Sequence, residues 1–133
     1  MKKNKEIIIS YYENLWNNKD KSFIDKLLDE NIVFRGSLDI ETQGKQEFEN
    51  YFDMIIEAIP NLFHAVELMV TEEDVVSARA VYNGTHMGKL LDFEPTGNRI
   101  RYHGASFFKI ANGKIIEIWV LGDLNSLNKQ LSK

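Results

Sequence analysis

The stretch IRYHGASFFKIANGKIIEIWVL, residues 100–121, reads as two long strands joined at Asn112-Gly113. Asn-Gly is among the strongest short hairpin signals, because both residues tolerate the positive φ that tight turns require. Apolar side chains flank it with a period of two, the spacing that sends neighbours to opposite faces of a sheet. Two registers satisfy the turn. A three-residue loop with Gly113 in the left-handed bulge position pairs Ile110 with Lys114. It places His103 on the face of Trp119 and Asp123, and is the preferred reading. A two-residue loop pairs Ala111 with Lys114, moves His103 to the other face and brings Tyr102 beside Asp123.

Working outward, Leu62 to Thr71 and Val75 to Thr85 alternate in the same way around the charged turn Glu72-Glu73-Asp74. Residues 88–98 carry Gly and Pro signals and read as a connection. Upstream the period changes to 3.6. Ile7, Ile8, Tyr11, Tyr12 and Leu15 form one helical stripe, broken at Asn17-Asn18. Asp20 can cap a second helix carrying Phe23, Ile24, Leu27 and Leu28. Ile32 to Phe34 is a short strand and 36–44 a polar loop. Gly44 opens a third helix with the stripe Phe48, Tyr51, Phe52, Ile55, Ile56 and Ile59, which Pro60 ends. A last short helix carries Leu124, Leu127 and Leu131. Helices followed by a meander specify an α+β domain: N-terminal helices packed on a strongly bent antiparallel sheet. Strands this long bend, and a bent sheet capped by helices forms a cone with an interior cavity.

The 133 residues fit one domain, residues 1–133, able to bury a core without disulfide or metal. A net charge of −4 disfavours nucleic acid as a partner, since phosphate binding needs clustered basic groups. The absence of cysteine excludes thiolate chemistry and Cys-ligated zinc. No apolar run reaches membrane-spanning length and no signal-peptide core is visible, so a cytoplasmic location is expected.

Asp123 follows Trp119 by four residues; beside an indole inside a cone, its carboxylate would be partly desolvated and a better base. The same residue directly precedes the last helix and reads equally as its N-cap. His86 can donate to a developing enolate or carry a proton, or be a rim histidine bonded to backbone. His103 depends on the hairpin register, and His64 reads as structural or exposed. Trp119, Trp16, Tyr82 and Phe52 are candidate pocket walls, each also a candidate for plain core. Arg79 and Glu117 are mid-strand charges placed to pair across the sheet. The close spacing of a metal site is missing among the histidines, and none is expected.

Together the motifs Thr85-His86-Met87-Gly88, Pro95-Thr96-Gly97, Asn112 to Trp119, Asp123 and Gln130-Leu131 resemble the SnoaL-like polyketide cyclase (ester cyclase) family, of the nuclear transport factor-like superfamily. Tyr12 to Asn17 and Ile59-Pro60-Asn61 fit more loosely. The resemblance implies a cystatin-like α+β cone, a homodimer formed through the outer sheet face, and a cofactor-free aldol cyclisation of a small hydrophobic carbonyl compound. Asp123 matches the carboxylate that takes the carbon proton. The chain departs from the family at Asp92, at Ser106 and Phe107, and at Ile118. A non-catalytic ligand-binding module, or an epoxide hydrolase- or isomerase-like relative, are the alternatives on the same fold.

Overall fold

The computed structural model describes residues 2–133. Helix α1 (Lys2–Ser10) runs directly into a π-helical segment (Tyr11–Asn17), whose wider turn is closed by Asn18 N–H donating to Glu13 O at 3.0 Å. Tyr11, Tyr12, Leu15 and Trp16 are all buried in this segment. Two adjacent pairs of large side chains turn toward the core together, which the 3.6-residue turn expected from the sequence would splay further apart. Asp20 accepts from Ser22 N–H at 3.0 Å just ahead of α2 (Ser22–Leu27), but the N-cap position itself is Lys21, one residue later than expected. α3 (Gly44–Ala58) opens at Gly44, with φ +84, and Glu47 reaches back to accept from Gln43 N–H at 2.9 Å. Its stripe Phe48, Tyr51, Phe52 and Ile55 is buried, and burial of a side chain such as Phe48 is worth roughly 1.5–3 kcal/mol.

Six strands form the sheet: β1 (Leu28–Arg35), β2 (Glu41–Gln43), β3 (Phe63–Glu72), β4 (Val75–Thr85), β5 (Arg99–Ala111) and β6 (Lys114–Gly122), in the order β2-β1-β6-β5-β4-β3. β3 to β6 make the expected antiparallel meander. β1 lies parallel to β6, so the sheet is mixed at this end, and residues 41–43 of the expected loop pair with β1. Residues from both sides of the sheet, Phe34 on β1 and His64 on β3, line one interior cavity, which requires the sheet to curl around it. One continuous apolar core joins the helices to the inner sheet face.

The hairpin combines features of both expected registers. Its loop has two residues, with Ala111 opposite Lys114 and Ile110 opposite Ile115. A bulge follows, after which Lys109 opposes Glu117 and Phe107 opposes Trp119. The extra residue, Ile116, restores the parity of the three-residue loop. His103, Trp119 and Asp123 therefore do share a face, but it is the outer one. Tyr102, Gly104, Ser106, Phe108 and Ile110 point inward and are buried, while His103 and Phe107 are exposed. The Arg79–Glu117 pair does not form: Arg79 meets Glu67 at 3.1 Å, and Glu117 meets Lys109 at 3.7 Å. Among the described residues, no helix is long and apolar enough to cross a membrane.

Candidate functional site

The inner face of the sheet and the π-helical segment enclose a cavity of about 40 Å³. Tyr12 and Trp16 come from the π-helix, Tyr51 from α3, His64 from β3, Tyr82 from β4, and Tyr102 and Ser106 from β5. The phenols are joined by short polar links. Tyr12 Oη donates to Ser106 Oγ at 3.2 Å, and Ser37 Oγ lies 3.0 Å from Tyr102 Oη. The rings meet edge to face, with Tyr82 and Tyr102 centroids 5.0 Å apart. Gly104 makes room for this packing: a Cβ at that position would overlap the Tyr82 phenol. Gly36 likewise gives way to Tyr51.

His64 sits in an aromatic cage. Its ring centroid is 4.9 Å from Tyr82, 5.1 Å from Trp16 and 5.6 Å from Tyr12. The backbone is clamped by Asn17, whose carboxamide accepts from His64 N–H at 2.7 Å and donates to His64 O at 3.0 Å. Its Nδ1 is enclosed and has no hydrogen-bond partner among the described residues. Burial, with a smaller contribution from the Lys19 ammonium, pushes the imidazole down to about 3, so the ring is neutral near pH 7. Burial pushes the Tyr12 and Tyr102 phenols up to about 12, and those of Tyr51 and Tyr82 upward as well. The cavity therefore presents protonated hydroxyl donors and one neutral imidazole in an apolar, aromatic wall.

The sequence-predicted residues divide between inside and outside. Trp16 and Tyr82 line the cavity, and Phe52 packs behind Trp16 at 4.6 Å between centroids. Asp123 does not face the cavity. It is exposed and caps helix α4 (Leu124–Leu131), its Oδ1 accepting from Ser126 N–H at 3.1 Å. Trp119 is 39% exposed on the outer face, against Phe107 and under the Arg35 guanidinium, 4.9 Å from its ring. His103 is outside too, 3.6 Å from the Glu67 carboxylate. Both faces of β6 are apolar, so alternation alone does not say that Ile118 and Val120 point in while Trp119 and Leu121 point out.

His86 is fully buried, but as a brace rather than a cavity wall. Its Nδ1 lies 2.9 Å from Thr96 Oγ1 and accepts from Thr96 N–H at 3.2 Å, while its backbone N–H donates to Asn98 O at 2.9 Å and its carbonyl accepts from Gly97 N–H at 2.8 Å. The Thr-His-x-Gly and Pro-Thr-Gly motifs thus clasp each other across the connection between β4 and β5. Gly88 completes the clasp, because a Cβ there would press on Glu57 O at 2.7 Å. Gln130 ties α4 to β5 by accepting from Arg101 N–H and donating to Arg101 O, both at 2.7 Å. The cavity residues that sequence reasoning missed are His64, Tyr12, Tyr51, Tyr102 and Ser106. The signal for Tyr102 and Ser106 was their shared parity with Phe108 and Ile110. Among the described residues, no three His, Asp or Glu side chains converge as a metal site would require.

The model of the SnoaL-like polyketide cyclase family matches residues 6–131. Among solved structures, a candidate SnoaL-like polyketide cyclase from Jannaschia sp. CCS1 superposes with a TM-score of 0.91 at 20% identity, over 98% of this chain and 92% of its own. AclR, a candidate hydroxylase from Streptomyces galilaeus, gives 0.86 at 28% identity, over 100% and 87%. IdmH, a candidate polyketide cyclase from Streptomyces antibioticus, gives 0.84 at 19%, over 98% and 99%. The first and third of these are likenesses of fold. No match was found among curated proteins.

Proposed function

The chain belongs to the SnoaL-like polyketide cyclase family, and from that premise we propose that it takes up a small, hydrophobic, carbonyl-bearing molecule and moves a proton on it without a cofactor. One observation carries this reading: the cavity wall is aromatic, yet every polar group on it is a neutral donor or acceptor, from Tyr12, Tyr102 and Ser106 to His64. Such a wall donates to a ketone oxygen through its hydroxyls and carries no formal charge to pair with a charged substrate.

The proton step assigns roles inside the cavity. The carbonyl oxygen takes the place of the internal partners, Ser106 Oγ of Tyr12 and Ser37 Oγ of Tyr102, and accepts from those phenol hydroxyls. A proton on the neighbouring carbon passes to His64 Nδ1, and the C–H electron pair becomes an enolate held by those hydroxyls. In a cyclisation the enolate carbon then bonds to a second carbonyl carbon of the same molecule. The imidazolium returns the proton to the alkoxide so formed. Desolvation makes His64 a weak base, so the substrates it suits are the more acidic carbons, those flanked by a carbonyl and a second activating group such as a carbonyl or an arene. Asp123, the carboxylate suggested by the family pattern, is outside this cavity in the present conformation.

A second reading, binding without turnover, is favoured by a specific observation: among the described residues, none that lines the cavity carries a carboxylate. Deuterium exchange separates the two. The α-protons of 2-tetralone in D2O, followed by proton NMR, exchange faster with the protein than with buffer if the proton step operates, and His64→Gln abolishes the acceleration. Quenching of tryptophan fluorescence by 2-tetralone without accelerated exchange establishes the binding module instead. A cytoplasmic location and pairing of two copies through the outer sheet face belong to the same proposal.

A further inference from the structure

The enclosed cavity, at about 40 Å³, is small. It has room for roughly three water-sized groups, enough for an oxygen-bearing end of a molecule but not for fused rings. Directly outside lies a groove of about 770 Å³ between the N-terminal helix and β3. That volume lies within the range of sites that hold drug-sized ligands. Tyr12 and His64 line both spaces, so the groove and the cavity meet at these two residues. The groove is lined by apolar Ile9, Phe63, Val66 and Met69 and by charged Lys5, Glu13 and Glu67. Phe63 is 52% exposed, Val66 39% and Ile9 38%.

The geometry points to a two-chamber site: an elongated ligand lays a flat apolar body in the groove between Ile9 and Val66 and passes an oxygen-bearing end into the cavity as the Tyr12 ring, 5.6 Å from that of His64 between centroids, swings aside. This rests on the carbonyl-binding reading above and adds to it the shape of the molecule and its route of entry. The local backbone fits the role. The Asn17 carboxamide pins His64 at the partition, and β3 carries a register shift between Val66 and Leu68 that swings the strand where it borders the groove. The occupant is a small molecule rather than a peptide because the groove leads to an enclosed, aromatic, hydroxyl-lined end, which suits a rigid oxygen-tipped aromatic.

2-Acetylnaphthalene, a flat bicycle with one ketone at its end, is the probe, and quenching of tryptophan fluorescence reads its affinity. Val66→Trp fills the groove from β3, and Ile9→Trp fills it from the helix, so loss of fold in one variant does not end the test. Tyr102→Phe with Ser106→Ala strips the cavity of oxygen partners. The two-chamber site requires each groove variant and the cavity variant to weaken binding by about tenfold. If only the cavity variant weakens it, the groove is not part of the site and the inference falls while the cavity reading stands. If only the groove variants weaken it, the ketone never enters the cavity, and the inference and the carbonyl reading both fall. Absence of binding to the unaltered protein overturns both as well.

Discussion

Of the two readings its position allows, Asp123 takes the N-cap in this structure, and His64 lines the cavity. Asp123→Ala removes the acceptor for Ser126 N–H, so about 1 kcal/mol of stability is lost, seen as a lower urea midpoint, with probe affinity unchanged. Asp123→Asn keeps a capping oxygen and stays close to the parent. His64 gives a pH signature. Its folded pKa is depressed, so between about 3 and 6.5 the unfolded chain binds the extra proton and stability falls as pH drops through that window. His64→Gln flattens that slope in urea titrations at pH 4 and pH 7. The phenols act at the other end. Raised to about 12, Tyr12 and Tyr102 keep their protons in the fold while the unfolded chain loses them from pH 10 upward, so stability falls as pH rises from 10 to 12. Tyr12→Phe and Tyr102→Phe each shrink this alkaline loss. His64 was not legible as a site residue, because nothing on its own strand announces Trp16, Tyr12 and Tyr82 around it. The cage is assembled from three elements distant in sequence.

The elements themselves were largely legible. Asn112-Gly113, the Gly44 opening and the stop at Pro60 lie where local chemistry predicts, because turns and caps are decided by residues next to one another. What escaped was the bulge at Ile116, a single residue that decides which face of β6 the next strand's residues share. It arises from pairing across the hairpin, not from any pattern along one strand. The family motifs also look different at this scale. His86, Thr96, Gly88 and Gln130 hold β4, β5 and α4 in place, so in this chain the motifs that carry them serve the scaffold. Gly104→Ala tests the packing between elements. The added methyl displaces the Tyr82 phenol from β5, costing about 1–3 kcal/mol in denaturant unfolding and weakening probe binding together.

At the scale of the molecule, the order of helices and strands was enough to reach an α+β cone, but not to reveal that β1 runs parallel to β6. Hydrophobic periodicity says which face of a strand is buried and nothing about its neighbour. The outer sheet face exposes Leu68, Phe107, Trp119 and Leu121 together, and this is where the proposed pairing of copies would occur. Sedimentation of the parent as a dimer and of Trp119→Glu as a monomer is the expected outcome; an unaltered monomer in both removes the pairing. One feature of the N-terminal helix reaches further than its position. A π-helical turn holds one more residue than the α-helical turn it replaces, so Tyr11–Asn17 amounts to an insertion that the helix has absorbed without breaking. Excising Asn14 would restore a regular spiral and rotate everything before it by about a quarter turn relative to Trp16. Tyr12 would leave the partition while Asn17 kept its hold on His64. The width of this doorway is thus a matter of chain length, adjustable by a codon's gain or loss without touching the sheet.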